Sequence, residues 1–555
     1  MTRLRFAALL LLATSLHAQP IPPTVQNAFD ALRPDAIRAH TRFLSSDLLE
    51  GRGPGTRGDE LARAYIAARL EAMGLQPAGD NGTFMQKVSL LGVEPIEEKS
   101  SLAFTKGGKT VLGPMKLRDE YAGGNQSQVE STTLDSEVIF VGHGVVAPEY
   151  KWDDYKGIDT KGKTLIMLVD DPPASEKEPD LFKGRARTYY GRWTYKYEIG
   201  TAKGAQAVLL IHTTDAAGYG WQVVRNSWSG ETSYMRNAPG APALRFAGWI
   251  TEDVAKKLFA AAGQDLAALT KAAASRDFKP VSLGFRLTGS VGSKLRPFDT
   301  ANVVAKLEGS DPSLKNEAIL YSAHHDHLGI GAPDDNDKSD RIYNGAIDNA
   351  TGSATILELA RVWSVESPRA KRSVLFAWVA AEEQGLLGSQ YLAQHPPIPA
   401  GKISLAINLD ALDLFGKVKS VTMIGVEKMT FFPAAQAITK LMNLTIVPDQ
   451  QPEQGSYYRS DHFSLAKAGV PAFSIKQGQE VIGHPDAWGA AKWKEYREKH
   501  YHQPSDEFDP TWDFESAVQI AQLAFWFGWE AGNAADLVNW NAGEEFAAVR
   551  AASQK

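Results

Sequence analysis

The chain has 555 residues, 43% of them hydrophobic and 22% charged, with a formal net charge of −6 and no cysteine. That is the composition of a globular protein with room for two or three domains, and it excludes a disordered or fibrous chain. With so small a charge and no basic run, nothing points to nucleic acid or an anionic membrane surface, and a small-molecule or peptide substrate is expected. Zero cysteines exclude disulfides, thiolate zinc sites and cysteine nucleophiles, so any metal must be held by histidines and carboxylates.

The chain starts with a basic stretch, Met1-Thr-Arg-Leu-Arg5, followed by apolar Phe6–Ala13, and reaches Ala18 just before Gln19-Pro20. This order predicts a secretory signal peptide over residues 1–18, cleaved after Ala18. The apolar run is far shorter than the roughly 20 residues of a bilayer span, so an exported, soluble protein without a membrane span is expected. Export without disulfides suits a bacterial periplasmic or secreted protein.

Residues 19–130 begin with apolar positions recurring every three or four residues between Val25 and Leu75, which predicts two helices flanking the loop Ser45–Gly58. Four glycines and a proline make that loop a shaped turn. Phe84–Met115 then alternates as strands do. Over 131–280, most clearly from Ser136 to Pro280, short β runs (Val138–Val141, Thr164–Val169, Ala207–Ile211, Ala243–Phe246) stand between long aromatic-rich loops, which predicts a separate, small β-rich domain. Strands at Val281–Leu287 and Asn302–Leu307 resume the main domain, 281–555. From Glu317 strand-like runs alternate with helical ones (Ser353–Trp363, Ser389–Gln394, Phe432–Met442, Phe463–Ala468, Ser516–Trp529), predicting a parallel or mixed sheet with helices on both faces.

Three of the buried-strand runs, Ala318–Ala323, Ser373–Ala380 and Ile403–Leu409, each end in chemistry: His324, Glu382-Glu383 and Asp410. Open α/β sheets bind ligands outside the carboxyl ends of their strands. Burying such groups without a cation would cost several kcal/mol each, so a metal pair is the expected occupant. In His324-His-Asp-His327 the expected ligand is His324, with Asp326 fixing its tautomer, while His325 and His327 read as loop residues. Asp348, in Gly345-Ala-Ile-Asp-Asn-Ala-Thr-Gly, lies at a strand-to-helix turn and is the best candidate to bridge two metals through its two oxygens. Of the adjacent Glu382 and Glu383, one can bind metal while the other faces the water. The last histidine stays open among His462, His484, His500 and His502.

Ser322-Ala-His-His-Asp-His-Leu-Gly, Gly345-Ala-Ile-Asp-Asn-Ala-Thr-Gly, Ala381-Glu-Glu-Gln-Gly-Leu-Leu-Gly-Ser, Asn408-Leu-Asp and Tyr501-His-Gln-Pro-Ser-Asp, in this order, resemble the co-catalytic zinc peptidases that include bacterial leucyl aminopeptidases and glutamate carboxypeptidase II. The resemblance extends to Leu48-Leu-Glu-Gly-Arg52 and to Ser460-Asp-His-Phe near the end. It implies a three-layer αβα zinc-peptidase (phosphorylase/hydrolase-like) fold whose inserted segment is a protease-associated domain. It also implies two zinc ions per chain: His324 and Asp410 on one, Glu383 and His502 on the other, Asp348 as the bridge, Glu382 as general base and Tyr501 steadying the oxyanion. His325 departs from relatives that carry tyrosine there.

The expected activity is aminopeptidase, releasing N-terminal residues from peptides. A glutamate-type carboxypeptidase would need a basic pocket, for which Arg341 and Arg459 are the candidates. An aminopeptidase must instead hold a free α-ammonium, for which Asp334-Asp335-Asn-Asp337 is a candidate. A glutaminyl cyclase, working with one zinc, and a non-catalytic receptor with a broken metal set are disfavoured by the full set of five ligands.

Overall fold

A computed structural model describes residues 21–331 and 340–555. The predicted signal peptide and the acidic stretch at 334–337 therefore lie outside the described residues. No helix among the described residues is long and apolar enough to cross a membrane.

The strands Ala472–Gln477, Ile403–Leu409, Ala318–His324 and Ser373–Val379 lie side by side in that order and pair in parallel. Every residue of the middle two strands and of Ser373–Val379 is buried, as expected for a parallel sheet covered on both faces. Gly352–Val365 and Glu515–Asn533 pack on one face, Leu387–Gln394 and His462–Lys467 on the other. This gives the three layers predicted. Glu515–Asn533 carries apolar residues all round because it is sandwiched between the sheet and the N-terminal helices Pro23–Ala31 and Pro34–Leu44.

The sheet continues past Ser373–Val379 through one strand of 27 residues, Val281–Leu307, where the sequence predicts two separate ones. Its middle, Thr288–Thr300, has little apolar signal, but it pairs antiparallel along nearly its whole length with Met85–Lys106, so ladder hydrogen bonds carry it. Beyond it come Ser131–Phe140, Thr164–Leu168, Ala207–His212 and Phe246–Thr251. The last of these starts where the sequence reading ends its strand, because Ala247-Gly248 interrupts the apolar pattern while remaining inside the ladder.

The 131–280 segment is more helical than predicted, with Trp193–Ala202, Trp221–Trp228, Glu252–Ala261 and Leu266–Ala273. The reason is topological: its central strands pair in parallel, and parallel neighbours need long crossovers, which here contain helices. Residues between 102 and 291 build two hydrophobic clusters of their own, centred on Phe140 and Trp249, distinct from the large core formed by residues 25–75 and 303–546.

Candidate metal centre

In the parallel sheet Ser322 pairs with Asn408 and His324 with Val379, so His324 and Asp410 leave their strands at the same level. The chain passes from Ala318–His324 to one neighbour, Ser373–Val379, and then crosses to the other, Ile403–Leu409, placing a switch point of strand order at this edge. Three non-glycine residues here sit in the left-handed region: Ala381 (φ 54°), Ala411 (φ 52°) and His502 (φ 57°). Such conformations cost about 1–3 kcal/mol each and persist where the surroundings impose them, often at functional sites.

His324 Nε2 lies 3.2 Å from Asp348 Oδ1 and 3.4 Å from Asp410 Oδ1. His502 Nε2 lies 3.2 Å from Asp348 Oδ2 and 3.1 Å from Glu383 Oε2. Asp348 thus offers one oxygen to each of two histidine–carboxylate pairs. A tetrahedral zinc with bonds of about 2.0–2.1 Å separates its ligand atoms by about 3.3–3.4 Å, so both spacings fit a shared metal. Both Nε2 atoms are buried without a hydrogen-bond partner, as a metal-ligating donor set would leave them. His324, Asp348 and Asp410 form one group able to hold a cation. A second combines Asp348 and Glu383 with His327, but His327 Nδ1 is 2.6 Å from Glu383 Oε1, a hydrogen-bonding distance too short for two ligands of one tetrahedral ion. His502 therefore suits the second position better than His327, whose Nδ1 sits against the other Glu383 oxygen. His327 is fully buried, not the loop residue the sequence suggests.

Other neighbours fix these groups. Asp326 is buried, yet its carboxylate does not orient His324 as expected: His324 Nδ1 meets the Asp326 main-chain carbonyl at 3.2 Å, with the carboxylate at 3.9 Å. The carboxylate instead accepts the Glu382 N–H (3.1 Å), tying the two strand ends together. Ser460 Oγ donates to Asp410 Oδ2 at 2.5 Å while accepting from Asn408. Burial would raise the Asp410 carboxyl, but the nearby Lys476 ammonium and His324 hold it well below the usual carboxylate range. Asp506 accepts the Ile347 and Asp348 N–H groups (3.0 and 3.1 Å), and Asn349 bridges to Leu409 and Ala411 beside Asp410. The sequence holds Ser460 and Asp506 within recognisable motifs, but a main-chain clamp has no side-chain signature that would assign their roles. Gly345 (φ 53°) is required, since a Cβ there would collide with the Asp348 carbonyl and the His327 ring.

Glu382 lies with His324 and Glu383 in one cluster whose ligand atoms fall within 4.8 Å of one another. Burial pushes its carboxyl well above the ordinary range. Tyr501 is 39% exposed and its ring stacks on His502 at 3.9 Å. The other candidate histidines go elsewhere: His462 packs edge-on to Tyr457, His484 stacks on Trp488, and His500 meets Ser505. His325 faces away, 3.0 Å from Asp59, which in turn pairs with Arg63. Arg341 is occupied by the Gly331 carbonyl, while Arg459 is exposed with no ion-pair partner among the described residues.

An open mixed sheet whose four central strands are parallel, with paired histidine–carboxylate groups at its switch point, defines an α/β protein with a candidate two-metal centre. Residues 302–526 match the model of peptidase family M28. Leucine aminopeptidase 2 of Trichophyton rubrum is 29% identical over 222 residues, 37% of this chain and 40% of that protein. A probable zinc metalloprotease of Pyrenophora teres f. teres is 36% identical over 114 residues, 20% of this chain and 23% of that protein. The chain thus spans less than half the length of these relatives. Among solved structures, an aminopeptidase from Aneurinibacillus sp. strain AM-1 is 18% identical with a TM-score of 0.48, covering 93% of this chain and 98% of that one.

Proposed function

We propose that the protein is an exported aminopeptidase that uses two zinc ions, held by His324, Asp348, Glu383, Asp410 and His502, to release N-terminal residues from peptides. The observation that carries this reading is Asp348, whose two oxygens face two separate histidine–carboxylate pairs at 3.2 Å each. The family match and the relatives described as a leucine aminopeptidase and a zinc metalloprotease support it. Export rests on the Met1–Ala18 pattern, and the 131–280 segment is read as a protease-associated insertion.

A zinc pair in this site would lower the pKa of a shared water from about 15.7 to about 7 and polarise the scissile carbonyl. The chain's own residues do the rest. Glu382, clustered with His324 and Glu383 yet free of the two histidine–carboxylate pairs, accepts the proton of the attacking water and returns it to the leaving amine. Tyr501, at the mouth beside His502, steadies the oxyanion as charge develops. Asp326 holds the Glu382 main chain in register with His324 throughout.

The test is which peptide end is read. N-acetylation of a good substrate is expected to abolish cleavage, while C-terminal amidation changes kcat/KM little. The reverse pattern, a blocked N-terminus tolerated and a free C-terminal carboxylate required, would replace this reading with a carboxypeptidase one and make the exposed Arg459 the group to examine.

A further inference from the structure

We infer that Arg52, in the glycine-rich loop ahead of the third N-terminal helix, is a positioning residue for the metal site, acting with Asp506 as the two jaws of a clamp on the turn that carries Asp348. The inference rests on the two-metal reading above. Arg52 is 1% exposed. Its Nε donates to the His325 carbonyl (2.8 Å), Nη1 to the Asn344 carbonyl (2.6 Å) and to that of Leu44, and Nη2 to the Gly345 carbonyl (2.9 Å). Its own carbonyl accepts the His327 N–H. One side chain therefore joins the residue after His324 to the residues three and four before Asp348. From the opposite end, the Asp506 carboxylate takes the N–H groups of Ile347 and Asp348. A cationic fork grips the turn's carbonyls and an anionic one its amides.

The arrangement is costly in ways that packing alone does not require. No carboxylate lies within ion-pair distance of Arg52 among the described residues, so this buried cation is hydrogen-bonded by carbonyls alone, with Asp326, Asp506, Asp348 and Glu383 as more distant counter-charges that only partly offset its desolvation. Glu50, Gly51 and Arg52 all adopt positive φ (50°, 67° and 52°), and a Cβ on Gly51 would strike the carbonyls of Gly329 and Tyr343. What these costs secure is the spacing of His324 to Asp348. Lysine cannot replace the fork, because an ammonium is a compact point charge without its planar set of donors.

The experiment is a zinc competition titration against a chromogenic chelator, using the full chain stripped of metal. Wild-type protein is expected to take up about two zinc ions; uptake of fewer would sink the two-metal reading itself, independently of Arg52. Arg52→Lys and Arg52→Gln are expected to retain the wild-type far-UV circular dichroism and to need about 10- to 100-fold more free zinc, the range for groups that orient metal ligands. A folded variant of either kind whose zinc affinity matches wild type, with only its Tm lowered, would make Arg52 merely structural and overturn the inference. So would full recovery by Arg52→Lys, since charge alone would then suffice. If both variants fail to fold, Asp47→Ala decides: exposed Asp47 holds the Asn344 side chain at 2.8 Å, and its removal should weaken zinc binding in the same direction by a smaller factor. Unchanged affinity in Asp47→Ala would count against the clamp.

Discussion

Replacing Glu382 by glutamine is expected to lower kcat by at least about 100-fold while leaving KM and zinc content near wild type, because general acid–base catalysis is typically worth about 10²–10⁴-fold. The substitution keeps size and removes only the proton acceptor. It should spare the metals, since the two histidine–carboxylate pairs use Asp348, Asp410 and Glu383. It should also spare the fold, since the hydrogen bonds tying Glu382 to its surroundings are main-chain ones: its N–H on Asp326 and its carbonyl accepting from Gly385 and Leu386. Steady-state kinetics with elemental analysis on the same sample checks it. Near-normal turnover would mean that Glu382 is not the base and that the roles of the adjacent glutamates need exchanging.

Asp348→Ala should fail differently, by losing metal. Its two oxygens serve both histidine pairs, so one substitution removes a donor from each position and leaves two protein ligands where catalytic zinc commonly has three. Activity at stoichiometric zinc is expected to fall at least about 100-fold, since the metal-supplied and general-base terms fail together. The zinc-dependent rise in Tm should vanish as well. A ligand at a thousandfold excess over Kd stabilises by about 4.1 kcal/mol, an effect that scanning calorimetry with and without zinc resolves easily. A variant that still gained this increment would rule out Asp348 as the bridge.

Much of this site was legible in the chain because its groups follow apolar runs directly. His324, Glu382-Glu383 and Asp410 stand at the ends of three fully buried strands, and parallel pairing brings those ends level. His502 was less legible: residue type alone left it equal to His462, His484 and His500, and the resemblance to a family singled it out before the geometry did. Arg52 and Asp506 act on main-chain atoms of a turn distant in sequence, and such contacts leave no periodicity or spacing to read. Asp326 shows the same limit: the sequence puts its side chain on His324, whereas its carbonyl meets His324 and its side chain takes the Glu382 N–H. In the fold, the long strand Val281–Leu307 was split in two because a two-stranded ribbon can be held by its ladder without an apolar stripe.

The packing of Phe29 edge-on to Trp526, at 6.0 Å, joins the first described helix to the last long one and bears on the order of assembly. The large core needs residues 25–75 and residues beyond 514 together, so it closes only after the whole polypeptide is available. Contacts so distant in sequence carry a heavy loop-closure cost and slow folding. The clusters between residues 102 and 291 need neither end. Pulsed hydrogen exchange during refolding is expected to protect Leu165 and Leu209 before Leu320 and Ile407; simultaneous protection of all four would show a single cooperative step instead. A candidate metal centre that comes together last would keep the chain inert until folding is complete, a delay that suits the peptidase activity proposed above.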